Sequence, residues 1–247
     1  MRGREPSPLM NSHIVWHTFF EILAWISAIG VGLWARRRYF SDTVLPMPAK
    51  DYPTYMVILW VGAVAGAFAL GTLNLLLDGQ HAAARSILGA IVGGILVAEI
   101  YKSILGIRGS TGVVFVLPLS VAIAVGRIGC FLGGLDDHTY GTPTALPWAV
   151  DFGDGIGRHP VQLYESFTMA AFALWFLWLL NRHREVATRR GFYFFAIVYG
   201  GERFLWEFLK PYPTVIGPLN IFHLCAAALA VYAVIMLTRL ERQYARP

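Results

Sequence analysis

The chain has 247 residues, of which 56% are hydrophobic and only 14% charged, and a net charge of +5. A mean hydropathy of +0.55 and a charged fraction well under the roughly 25% of a soluble domain exclude an ordinary soluble fold. Apolar windows of about 20 residues recur along the whole length, which is the pattern of an all-α integral membrane protein rather than of a soluble body with one anchor.

The first apolar segment follows Arg2 and Arg4, as in a signal peptide, but it is long, lacks a small-residue cleavage site and ends in Arg36, Arg37 and Arg38. It reads as a retained span. In all, the hydropathy predicts about seven transmembrane helices, at roughly Ile14 to Ala35, Tyr55 to Leu77, Ile87 to Ile107, Thr111 to Leu135, Val161 to Leu180, Phe192 to Leu209 and Leu219 to Leu237. They form a single polytopic domain over residues 1–247 with a small periplasmic loop region at about 136–160. Gly and Ala are dense in the second and third spans (Gly62, Gly66, Gly71; Gly89, Gly93, Gly94), so close approach of these helices is expected.

Flanking charges sort to one side. Arg36 to Arg38, Lys50, Lys102, Arg108, Arg182, Arg184, Arg189, Arg190, Arg239, Arg242 and Arg246 fall together, leaving Arg2, Arg4, Arg85, Arg158 and Lys210 opposite. The positive-inside rule then puts the N-terminus outside and the C-terminus in the cytoplasm. The basic excess is therefore a matter of topology, and no nucleic-acid partner is implied. Cys130 and Cys225 lie in different spans without ligand or disulfide spacing. No metal, nucleotide or redox cofactor is indicated.

A charge at mid-bilayer costs about 2.5–3.5 kcal/mol on insertion scales, so intramembrane charges need partners and commonly mark a substrate path. In the sixth span Tyr199, Arg203 and Glu207 recur at i, i+4 and i+8, on one face, where Arg203 and Glu207 can neutralise each other. A structural ion pair is the plain alternative. In the first span His17 and Glu21 are at i, i+4, so Glu21 is expected to orient the imidazole. Arg127 sits in the fourth span with Cys130 one turn on, where a small packing residue is the default reading of the thiol.

His17, Arg127 and Arg203 share a similar depth toward the outer leaflet, and two arginines are suited to bidentate grip on a phosphate. The ligand suggested is an anionic phospholipid. A second polar group, "GRHPVQLYES", enters the fifth span, where Pro160 suits a helix start and Gln162, Tyr164 and Glu165 fill the first turns.

The ordered elements "GRIGCF", "YGTPTALPWAVDF", "RHPVQLYES" and "YGGERFLWEFLK" resemble the prolipoprotein diacylglyceryl transferase family of bacterial inner membranes. The likeness covers Ala84 to Lys210 well and the N-terminal third poorly. It implies a seven-helix enzyme that moves the diacylglyceryl group of phosphatidylglycerol to the lipobox cysteine thiol of a prolipoprotein signal peptide and releases glycerol phosphate. It implies catalytic roles for Arg127, Arg203 and Tyr199, with His17 as a candidate, and no cofactor. Substrate-binding positions carried over are Gly126, Gly129, Cys130, Tyr140, Gly141, Arg158, His159, Gln162, Tyr164, Glu165 and Glu207.

The chain departs from the family pattern in four places. The "HGG" histidine is missing from "RSILGAIVGG", Cys130 replaces the asparagine of "GRIGNF", "GGLDDH" replaces "NGE", and "HTFF" replaces "HWYG", keeping His17 but placing Phe19 where the tyrosine stood. Thiol activation is left to His17, to His138 or His159 in the loop, or to phosphate stabilisation alone. A non-catalytic paralogue that binds anionic phospholipid or lipoprotein, or a relative with another acceptor, is the alternative. A solute transporter would account for intramembrane charge but not for the ordered signature.

Overall fold

A computed structural model describes residues 8–41 and 47–244; Arg2, Arg4 and Arg246, used in the charge sorting, lie outside them. Among the described residues seven long helices follow one another: α1 Pro8–Tyr39, α2 Tyr52–Leu77, α3 Ile87–Ile104, α4 Val113–Gly133, α5 Val161–Arg182, α6 Arg184–Glu207 and α7 Ile221–Tyr244. The only sheet among the described residues is a two-residue antiparallel pair, β1 Val150–Asp151 with β2 Gly157–Arg158. The molecule is an all-α integral membrane protein. Large apolar side chains such as Trp25, Trp60, Phe167 and Leu174 stand exposed on the helices, as they must where the surroundings are acyl chains and only a helix satisfies its own backbone.

Six of these helices are long and apolar enough to cross a membrane. The remaining one is α6, whose apolar run is interrupted by Glu202, Arg203 and Glu207 and preceded by basic turns. It also begins eight residues earlier than Phe192, the expected start. The segment "REVATRR" consists largely of good helix formers, and Glu185 and Arg189 pair at i, i+4 across 2.9 Å. Only His183 separates α6 from α5.

The chain divides into two compact units. The first holds α1, α4, α5, the loop between α4 and α5, and the short stretch Leu209–Pro211. Here α5 buries Gln162, Glu165, Ser166 and Met169, one face at i, i+3, i+4 and i+7, and the Ser166 hydroxyl donates to the carbonyl of Ala124 on α4 at 2.7 Å.

The second unit holds α2, α3, α6 beyond its first residue, and α7. Its tightest packing joins α2 to α3. A Cβ on Gly66 would lie 2.2 Å from the carbonyl oxygen of Gly89, and one on Gly93 would lie 2.2 Å from that of Gly62. The expected close approach is therefore backbone to backbone, which only glycine permits. Ser86 caps α3 by accepting from the Gly89 amide at 3.2 Å.

Candidate functional site

The first unit carries a fully buried set of charges. Arg127 stands two turns before the end of α4, and its Nε lies 2.7 Å from Oε2 of Glu165, one turn into α5. The other oxygen, Oε1, accepts from Lys210 Nζ at 2.7 Å. Lys210 comes from Leu209–Pro211, which is tied to the loop between α4 and α5 by the Thr142 amide donating to the Leu209 carbonyl at 2.6 Å. One carboxylate thus pairs with two cations and neutralises part of their buried charge. Gln162, one turn before Glu165 on the same face, is wholly buried, and neither atom of its amide has a hydrogen-bond partner among the described residues.

Beside this set, α4 meets α1. A Cβ on Gly129 would fall 2.6 Å from Cβ of Phe20, and one on Gly133 would fall 3.2 Å from Cβ of Asp137 and 3.4 Å from the His17 ring. These glycines form a trough in which His17 lies. Its Nε2 is 3.0 Å from Oδ1 of Asp137, in the 3-10 turn Gly134–Asp137 that follows α4. That carboxylate, not the expected Glu21, is the one on the imidazole. His138 closes the turn in the left-handed region, with φ of 54°. Cys130 lies in the same trough, its Sγ 3.9 Å from Arg127 Nη1.

The second unit carries its own buried ion pair. Tyr199, Arg203 and Glu207 are all buried along one face of α6, and Arg203 Nη2 lies 2.9 Å from Glu207 Oε2. Asn220, which precedes α7, donates from Nδ2 to Glu207 Oε1 at 3.3 Å and accepts the His223 amide at 3.0 Å. Tyr199 stacks on Phe195 with ring centroids 5.8 Å apart, and the Arg203 guanidinium sits over the Phe222 ring.

Comparison with known proteins decides the family. The family model described as prolipoprotein diacylglyceryl transferase matches residues 8–239.

The chain belongs to this family.

Among its relatives, the phosphatidylglycerol–prolipoprotein diacylglyceryl transferase of Bordetella bronchiseptica is 28% identical over 88% of this chain and 84% of its own length. That of Solidesulfovibrio magneticus is 29% identical over 92% and 90%, and that of Clostridium tetani 38% identical over 51% and 52%. No solved structure matches. The family match reaches well into the N-terminal third, where the sequence motifs show little likeness.

Arg127, Cys130, His17, Gln162 and Glu165 gather in the first unit, with Gly129 as their spacer; Gly126 faces Ala24 at ordinary contact distance. Tyr199, Arg203 and Glu207 gather in the second. The remaining positions build the loop. Arg158 is held by Asp154 through two bonds of 2.7 Å, and its guanidinium lies over the Tyr140 ring at 5.3 Å. This guanidinium holds the exposed Asp154 carboxyl below the ordinary carboxylate range. His159 meets the Tyr164 hydroxyl at 3.4 Å, and Trp148 Nε1 donates to the same hydroxyl at 2.7 Å. Gly141 admits the His159 carbonyl, which would stand 2.3 Å from a Cβ there.

Sequence reasoning missed Lys210, read as a flanking charge, and Asp137, read as part of a departed motif. Asn220 and His223 also went unremarked. Lys210 and Asp137 carry no local signal, because Glu165 and His17 lie on other elements, whereas Asn220 and His223 bond each other across the start of α7.

Proposed function

We propose that this chain is a phosphatidylglycerol-dependent diacylglyceryl transferase of the bacterial inner membrane, acting on the lipobox cysteine thiol of prolipoproteins, with its N-terminus outside and its C-terminus in the cytoplasm. The observation that carries this is the buried Arg127, paired with Glu165 at 2.7 Å within a chain of this family. The names of the relatives supply the substrates.

In this reading the thiol sulfur attacks the glycerol carbon that bears the phosphate ester. A carbon–sulfur bond forms as the carbon–oxygen bond breaks, the thiol proton is lost, and glycerol phosphate leaves. The phosphate passes from a diester monoanion toward a dianion. Arg127 binds it and stabilises the charge that develops, and preorganised donors of this kind commonly contribute the largest share of catalysis; Arg203 is the second catalytic arginine. Glu165 and Glu207 are positioning residues that hold the two guanidinium groups. The Gln162 amide, buried without a partner among the described residues, suits a polar group of the lipid or of the acceptor peptide. Thiol activation is assigned to the His17 trough.

The test is transfer of label from phosphatidylglycerol to a lipobox peptide by purified protein. Transfer is expected in the wild type and is expected to be lost in Arg127→Ala and in Arg203→Ala. Lipid binding without transfer in the wild type would overturn the enzymatic reading in favour of a lipid-binding paralogue.

A further inference from the structure

Cys130, His17 and Asp137 each offer one ligand atom, and these three atoms lie within 4.8 Å of one another. They come from three elements, α4, α1 and the turn after α4. We propose that they form a binding site for one thiophilic divalent cation, of the zinc class, with one coordination position left for a thiol.

The donor set is imidazole nitrogen, thiol sulfur and carboxylate oxygen, all ordinary zinc ligands, and three protein ligands with an open fourth position mark a site that does chemistry rather than one that only braces a fold. Tetrahedral bonds of about 2.0–2.3 Å put neighbouring ligand atoms roughly 3.3–3.7 Å apart. The His17 and Asp137 atoms, at 3.0 Å, need to part by only about 0.3 Å to enter that range, and the sulfur lies no more than 4.8 Å from either. A thiolate and a carboxylate neutralise the two charges of the cation. The carboxylate is oriented from behind, because the Thr139 hydroxyl donates to Oδ2 of Asp137 and leaves Oδ1 toward His17. Such outer partners are typical of built metal sites. Gly129 and Gly133 let α1 and the turn approach α4 closely. The His17 side chain remains 34% exposed, so the open position is accessible to a substrate.

Resting on the transferase reading, that position receives the acceptor cysteine. A thiol that binds zinc gives up its proton outright, so the sulfur is delivered as a nucleophile at neutral pH and the proton passes to solvent. His17 then acts as a ligand, and no separate base is required.

Full-length protein in detergent, stripped with a chelator, is titrated with Co²⁺ and competed with Zn²⁺. The expected result is one cobalt per chain with a thiolate-to-cobalt charge-transfer band. Cys130→Ser is expected to lose the band, and Thr139→Val to keep it with roughly 10- to 100-fold weaker affinity. Unchanged thermal unfolding of the metal-free variants confirms that they are folded. Absence of the band in the wild type, or its persistence in Cys130→Ser, overturns the site. Transfer is then assayed separately. Loss on chelation with recovery on Zn²⁺ supports delivery of the thiol, and transfer indifferent to chelation overturns that role. No transfer under any condition, with the band intact, counts against the transferase reading and leaves the cation site standing.

Discussion

Lys210 and Arg127 share one carboxylate: Glu165 holds each of them at 2.7 Å, one on either oxygen. All three side chains are almost completely shielded. In such a place a missing partner matters more than a present one, because the group left behind keeps its charge without the neighbour that justified burying it.

Lys210→Met tests this directly. Breaking a buried pair from one side is destabilising by about 3–5 kcal/mol, so thermal unfolding in detergent should shift clearly downward. Transfer measured well below the transition should fall through kcat more than KM, since Lys210 acts on Arg127 only through Glu165.

Arg127→Lys keeps the charge and loses the planar fork. Transfer is expected to fall by roughly 10²- to 10³-fold, the range for loss of one preorganised donor to a developing anion. Retention of wild-type turnover by Arg127→Lys would show that only a point charge is required there.

His17→Ala is expected to impair transfer far more than His159→Ala. His17 carries Asp137 at 3.0 Å in the trough with Cys130, whereas His159 contacts a tyrosine hydroxyl in the loop. Equal activities of the two variants would remove His17 from the reaction.

Gly66→Ala places a methyl group where the Gly89 carbonyl oxygen stands 2.2 Å away. Backbone cannot swing aside as a side chain can, so α2 and α3 must separate. Overpacking of this kind costs about 1–3 kcal/mol, and thermal unfolding is expected to report it, with Gly30→Ala, which meets nothing within 4 Å, as the neutral control.

The loop should respond to acid through Asp154. Its carboxyl titrates below the ordinary range because Arg158 binds the charged form. The stabilisation is therefore complete above the unfolded value of about 3.9 and is lost as pH falls through the lower folded value. Limited proteolysis between β1 and β2 should be flat from neutral pH to about 5 and rise only below about 4. Asp154→Asn is expected to be cleaved faster at neutral pH and to lose the acid response.

The sequence by itself determined the helices and the pairs within them. A span is legible because twenty apolar residues in a row are a local fact, and Arg203 with Glu207 is legible because 3.6 residues per turn put them on one face. The same locality explains why α6 was expected to start at Phe192: hydropathy ends where charges begin, but the backbone continues to Arg184 because "REVATRR" favours helix. Tertiary structure alone decided which carboxylate meets which base. Glu165 meets Lys210 from 45 residues away, and His17 takes Asp137 rather than its helical neighbour Glu21 because Gly129 and Gly133 let α1 settle against the end of α4. Helix geometry dictates neighbours only within about two turns; beyond that, partners are chosen by how closely backbones can pack.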